Sequence, residues 1–446
     1  MKREKGTPFP RMALPLLAAL LLTACGSAKA PASAVPAAAF DAPLYDWSKE
    51  PQETVVLWTR ELDMDRVYMQ RGLERYRQLT GSRVEIVTFP QDTFSAAVAE
   101  AFATGAEPPD LLLSYGGTNI EPFDPDENFY DFSNAPWVKD LTAASINQTV
   151  YHGKVIGLPH WESSISGTLY NKKLFERYGI PVPETQAEFM AACQTLLENG
   201  VTPLYLPCET ASMLLYQFPL DTVLEDPALL AGLNDGTLSY SDLPQLRTIV
   251  EWYRTMAQQG YLGEDYLQNS WAGMDAAMAG EQYGMMLCWD TWLYTDFTGD
   301  AASFGLMPAF VGVPETGTFE GPNQALLIVN RHSPRLKAAL NLITFFADPY
   351  NYNAAFSGIY TAPAFRNQTT SISTPQYLEA ERCIEDHFRD SIAWLRVRGF
   401  SQMDATCILR YMTGEPGYTV ERCLADMDAL RRARVDFPAA GDRGNA

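Results

Sequence analysis

The strongest constraint on the fold is an alternation of extended and helical patterns that ends in a short apolar run. Thr54–Trp58 reads as a strand, and a helix through Val67, Leu73, Tyr76 and Leu79 stops at Gly81. Arg83–Phe89 alternates as a second strand, and Phe94, Ala97, Val98, Ala101 and Phe102 make a helical face closed by Gly105. After Pro108-Pro109, Asp110–Ser114 has the pattern of a buried parallel strand. This β-α-β-α-β order predicts an α/β body around a parallel sheet. Ligands of such sheets sit outside the carboxyl ends of the strands. The loops after Trp58, after Ser114 and after Pro159 are therefore cleft candidates. Tyr115-Gly116-Gly117-Thr118 suits either close backbone approach to a ligand or a plain tight turn, and Glu121–Pro136 reads as a surface excursion.

The middle of the chain is equally well punctuated. Tyr151–Lys154 forms a tight hairpin, a strand ends at Leu158-Pro159, and another runs through Leu169-Tyr170. Two helices and a strand follow up to Leu206. In the second helix Thr185 and Glu188 are spaced as a capping box, Phe189, Cys193, Leu196 and Leu197 share a face, and Gly200 follows. Beyond it, helices are expected at Ser212–Phe218, Gln245–Gly260, Asp275–Ala279 and Pro334–Phe346, and from about Gln376, Gln402 and Thr419. Strands are expected at Tyr283–Trp289, Phe304–Met307 and Ala325–Val329.

The runs GKVIGLP, GTLYNKKLFERYGI, Pro183-x-Thr185 and GVTPLYL resemble the extracellular solute-binding proteins of bacterial ABC importers, a family that mostly binds sugars. TGSRVEIV, ATGAEPPDLLLS and MAGEQYGMMLCWDTW extend the resemblance over most of the chain from Thr54 to about Ala433. It implies an α/β, two-lobed periplasmic-binding-protein-like fold of type II, each lobe a sheet flanked by helices. About three hinge crossings would join the lobes, with residues 53–164 and 308–347 in lobe I and 165–307 and 348–440 in lobe II. The return crossing is expected after Phe304–Met307, at Pro308. The implied partners are a small carbohydrate and the permease subunits of an importer, with no cofactor and a monomeric state.

Composition narrows the alternatives. With 54 Asp and Glu against 33 Lys and Arg, the chain lacks the basic footprint that nucleic acid requires. Lys2, Arg3, Lys5 and Arg11 precede an apolar stretch, Met12–Leu22, that is too short to span a bilayer. Leu22-Thr23-Ala24-Cys25 resembles a lipoprotein cleavage site. Residues 1–24 are thus read as a signal peptide, and residues 25–52 as a lipidated Cys25 and an Ala/Pro/Ser-rich tether. The expected location is extracytoplasmic, at the membrane through the lipid alone. The remaining six cysteines permit 15 pairings or none.

No phosphate-binding loop, dinucleotide fingerprint or nucleophile elbow occurs, and the four histidines are not spaced as metal ligands. Tryptophans beside carboxylates are conspicuous. A sugar presents an apolar C–H face and a ring of hydroxyls, so it calls for flat aromatic platforms with a few aimed acceptors and donors. Trp58, Arg60 and Glu61 after the first strand, Tyr115 after the third, Trp161 and Glu162 at the lobe crossing, and Trp289, Asp290 and Trp292 after a later strand are the ligand candidates. Asn323 and Gln324, ahead of the Ala325 strand, join them. Trp58 equally suits a lobe core, and Arg60 suits pairing with Glu61, hydroxyl recognition or an acidic substrate. Trp252, Tyr253 and Tyr261 fit a core, and Trp271 precedes a helix. Two other readings stay open: a carbohydrate-active enzyme using Glu162 and Asp290, and a binder of a charged solute.

Overall fold

Leu111, Leu112 and Leu113 are all buried, because the strand that carries them lies at the centre of a sheet covered on both faces. The computed structural model describes residues 53–90, 93–209, 226–389 and 393–435, with Trp47 and Phe437. The expected signal segment, Cys25, most of the tether and the expected Ser212–Phe218 helix lie outside the described residues.

Thirteen strands are described: β1 (Val55–Arg60), β2 (Val84–Phe89), β3 (Leu111–Tyr115), β4 (Val150–Tyr151), β5 (Lys154–Val155), β6 (Gly157–Pro159), β7 (Ser166–Asn171), β8 (Thr202–Tyr205), β9 (Tyr283–Trp289), β10 (Phe304–Met307), β11 (Phe319–Glu320), β12 (Ala325–Val329) and β13 (Phe388–Arg389). The first sheet has the order β2-β1-β3-β12-β6, and the second runs β13-β11-β7-β9-β8 with β10 on β7. β4 and β5 form the expected hairpin, turned through His152 and Gly153 at positive φ. In the first sheet β1, β2 and β3 are parallel, as the β-α-β order predicts, but β12 runs antiparallel to β3 and β6.

The pleat sends Leu57, Leu111, Leu113 and Leu327 into one core with Phe346 and Tyr352, and Leu112, Leu326 and Ile328 into the other with Phe94 and Phe123. Glu121–Pro136 is no excursion, since Phe123, Phe129 and Phe132 are buried. The helix α1 (Val67–Thr80) ends on Gly81 in the left-handed conformation, yet Val67 and Leu79 are exposed. Its seam is Tyr68, Met69, Gly72 and Tyr76 instead. A Cβ on Gly72 would lie 2.3 Å from the Phe346 ring, so glycine permits the close crossing. In helix Gln186–Glu198, Thr185 accepts from the Glu188 amide at 3.2 Å, but the Glu188 carboxylate reaches Glu184 N rather than Thr185 N. Leu197 of the same helix is exposed.

The second body has cores on both sides of its sheet. Helix Pro244–Gln258 buries Leu246, Ile249, Val250, Trp252, Tyr253 and Met256 in one, while Met286, Trp292, Phe304 and Ile384 fill the other. The six described cysteines are free, five of them buried.

Among the described residues, three chain passages join the two bodies. The first is 160–165, between β6 and β7. The second is 321–324 rather than Pro308, because Ala309 bridges Thr318 and β11 still pairs with β7. The third follows Phe365 rather than 347, because Tyr352, Phe356 and Phe365 pack in the first core. Ser163 bridges Ala362 and donates its amide to Thr361 at 2.6 Å, tying passage one to the segment that leads into passage three.

Asp290 completes this joint. It is 3% exposed and accepts from Ile165 N at 2.8 Å and from the Thr374 hydroxyl at 2.5 Å. Burial pushes its pKa up from 3.8 to about 6, against the pull of those donors. A folded-state value above the unfolded one means that folding retains a proton between the two. Stability from this group is therefore full below about pH 4, declines towards pH 6 and is level above it. Asp290→Asn is expected to remove that decline. Urea unfolding at pH 4 and pH 7 should show the wild-type-minus-variant difference changing by roughly 3 kcal/mol. A difference independent of pH would refute the assignment.

Candidate ligand-binding cleft

The carboxyl ends of β1 and β3, the first passage and the end of β9 converge on a cavity of about 100 Å³ between the two sheets. Tyr115, Trp161 and Glu162 wall it from the first body, and Trp289 and Glu320 from the second. Arg66, Ser164, Ser166, Gly321 and Asn323 complete the lining.

Trp161 follows β6 after His160 and is 6% exposed. It meets Tyr68 and Tyr115 edge-on at 6.0 and 6.1 Å, an arrangement that fixes its plane. Glu162 is 5% exposed and receives the Tyr68 hydroxyl, with Arg66 Nη1 at 3.4 Å. Burial and then the Glu162 charge push the Tyr68 pKa well up, so the phenol stays a donor. For Arg66, burial opposes the charge, but Glu162 and Tyr68 outweigh it and raise the pKa. Its guanidinium also lies 5.3 Å from the Trp161 ring. Arg66 Nε and Asn323 Oδ1 have no hydrogen-bond partner among the described residues, which leaves a donor and an acceptor at the cavity wall.

On the opposite wall Trp289 stacks on Trp271, with centroids 5.3 Å apart and planes at 21°. Trp271 thus backs the indole that faces the cavity.

Several expected residues stand elsewhere. Trp58 packs on Phe89 at 4.9 Å in the Phe94 core. β1 runs two residues further than expected, so Arg60 is still strand; Asp63 holds it through two 2.9 Å bonds, and it lies 4.3 Å over the Tyr115 ring. Burial opposes its charge, but Tyr115 and Asp63 together raise its pKa. Arg60 therefore braces Tyr115 and leaves no free fork for a ligand. Glu61 is exposed and off the lining. Asp290 belongs to the joint, and Trp292 is 2% exposed in the core beside Phe297. Gln324 is fully buried and donates to Ser163.

Arg66, Tyr68, Trp271 and Glu320 were not among the sequence candidates. Arg66 and Tyr68 lie just past the β1 loop that the strand-end rule singles out, and could have been found by extending it a few residues. Glu320 carries no local signal, because a two-residue strand delivers it.

His160, beside Trp161, is fully buried among Tyr68, Phe346, Tyr352 and Phe356. Burial alone lowers its pKa to about 3, so it is neutral packing and no proton carrier at pH 7.

Tyr68→Phe keeps the ring stack on Phe356 (4.6 Å) but deletes the donor to Glu162. A loss of about 1–3 kcal/mol in urea unfolding is expected for the under-satisfied carboxylate. Glu61→Gln should change stability by less than about 0.5 kcal/mol.

Comparison with known proteins fits this geometry. The family of bacterial extracellular solute-binding proteins matches residues 73–377. The melibiose/raffinose/stachyose-binding protein MelE of Bacillus subtilis is 25% identical over 256 residues, 54% of this chain and 58% of the relative. The multiple sugar-binding protein of Streptococcus mutans is 22% identical over 191 residues, 43% of this chain and 41% of the relative. The chain thus matches less than two thirds of the length of either. A sugar transporter from Bacillus licheniformis, solved with stachyose, superposes with a TM-score of 0.66 at 19% identity, covering 84% of this chain and 100% of that one. Its two-lobed fold is shared. The family match extends over more than half of the sequence, and the chain belongs to the bacterial extracellular solute-binding proteins.

Proposed function

We propose that the protein is the substrate-capturing component of an ABC importer for a carbohydrate. One observation carries the reading: two indole planes, Trp161 and Trp289, lie on opposite walls of an interlobe cavity that also presents Glu162, Glu320, Arg66 and Asn323. The indoles suit pyranose C–H faces, and the carboxylates accept from hydroxyls in a water-poor setting. At about 100 Å³ the cavity is smaller than the 300–1,000 Å³ usual for ligand sites, so the lobes part to admit a guest. Ligand contacts to both walls then favour the closed arrangement, which is the form handed to the permease.

These contacts weigh against a hydrolase that pairs Glu162 with Asp290 and against an acidic solute. Asp290 is enclosed in the joint, so it cannot flank a glycosidic bond held at Glu162. Arg60 is spent on Asp63, and the lining holds Glu162 and Glu320 against Arg66, a balance unfavourable to acidic solutes. A signal peptide and a lipid on Cys25 complete the proposal, on the strength of the sequence near residues 12–25.

A thermal-shift panel of mono- and oligosaccharides, run on protein lacking residues 1–25, tests the reading. A true ligand at a hundred times its Kd adds about 2.7 kcal/mol of stability. Trp161→Ala and Trp289→Ala should each abolish the shift. A panel without any shift would reject the carbohydrate assignment.

A further inference from the structure

Two contacts cross between the bodies outside the three passages, and they differ in where they stand. Tyr294 stacks on Tyr360 at 3.8 Å and 21°. Tyr360 precedes Thr361, which binds Ser163, and Tyr294 lies in the short helix Trp292–Thr295 that follows Asp290. That stack therefore turns with the joint.

The other contact includes no passage. A Cβ built on Gly117, which has φ +63°, would lie 2.0 Å from the Leu395 carbonyl oxygen, so backbone meets backbone there. Beside it Arg398 Nε donates to Glu121 at 2.8 Å. Gly117 and Glu121 lie in the 3-10 turn Gly117–Phe123, whose Ile120 and Phe123 are buried in the first body. Leu395 is 7% exposed, and Val397 packs in the core of the second body. Because the groups are fixed to opposite bodies, they have to separate when the lobes part.

Arg398 is held on its own body before Glu121 arrives. Asn234 accepts from its amide at 2.9 Å and from its guanidinium at 3.3 Å, and its carbonyl accepts from Arg431 at 2.8 Å. Closing therefore costs this side chain little freedom. The side chains of Arg398 and Glu121 are 32% and 26% exposed, so salt reaches the pair and weakens it. Tyr151 lies near both charges, but burial and then Glu121 push its phenol up to about 12, so it adds no third charge. None of Gly117, Glu121, Leu395 and Arg398 lines the cavity. Their contact consists of protein alone and needs no guest.

We infer that Glu121 and Arg398 form a closure latch, an ion pair outside the ligand cavity that stabilises the shut arrangement in the free protein as well as in the loaded one. The latch acts on the closing equilibrium and not on the guest. It therefore scales the affinity for every guest by one factor, through the fraction of molecules that are shut. Only its sugar readout rests on the carbohydrate reading above.

Small-angle neutron scattering of the full chain, in detergent contrast-matched to the solvent, reads closure without a guest. Glu121→Gln and Arg398→Gln should each raise the radius of gyration, and the double variant should raise it no further, as partners in one pair require. Exchanging the charges, Glu121→Arg with Arg398→Glu, should bring the radius back towards wild type, which a general loss of folding would not allow. High NaCl should expand the wild type and leave the double variant unchanged. Equal radii for wild type and all variants would overturn the latch, as would an exchange variant no more compact than the double one. In calorimetry with melibiose, raffinose and stachyose, each sugar that binds should lose affinity threefold or more in the double variant, by the same factor for all. A loss confined to one sugar would overturn the latch. Should none of the three bind, the failure falls on the carbohydrate reading, and the scattering still decides the latch.

Discussion

A single enclosed carboxylate sets the relation between the two bodies. Asp290 follows β9, and its oxygens serve the amide of the first passage and a hydroxyl of the third. Passages that approach each other in space need a shared acceptor if they are to bend as one unit. Buried carboxylates receive donors strongly but are costly to ionise. The Ser163–Ala362 bridge beside Asp290 gives the joint a second tie that does not depend on charge. The cavity walls hang from these strands, so the spacing of Trp161 and Trp289 follows from the joint.

The walls themselves are organised by pairing off charge. Arg60 is consumed by Asp63 and supports Tyr115, while Arg66 and Tyr68 steady Glu162. Each aromatic plane has a partner at its edge or back: Tyr68 and Tyr115 for Trp161, and Trp271 for Trp289. Side chains held in this way lose little conformational freedom when a guest arrives, which is how preorganisation favours binding.

Much of the fold was legible in the residue pattern because strand and helix periods are local. The apolar run before Tyr115, the Gly81 stop and the Ala325–Val329 strand all lie where their patterns place them. The errors came where packing overrides period. In α1 the seam turned towards Gly72 because Phe346 needed room. The passages between bodies moved to 321–324 and beyond Phe365, since short strands such as β11 and single bridges leave almost no sequence trace. In the cleft, residues beside strand ends were found: Tyr115, Trp161, Glu162, Trp289 and Asn323 line the cavity. Asp290 and Trp292, offered by the same strand end as Trp289, serve the joint and the core instead.

The sulfur chemistry of the chain has a consequence of its own. Cys193, Cys208, Cys288, Cys407 and Cys423 are sealed in the cores as unpaired thiols, and burial pushes Cys208 up to about 12. Thiols so far from their reactive thiolate form are poor nucleophiles, and oxidants cannot reach them. These five thiols therefore call on no oxidase or disulfide-shuffling enzyme, and half-buried Cys383 is the described thiol left open to the redox poise around it. The cohesion of the described body comes from apolar packing, so it would hold its shape equally in oxidising and in strongly reducing surroundings.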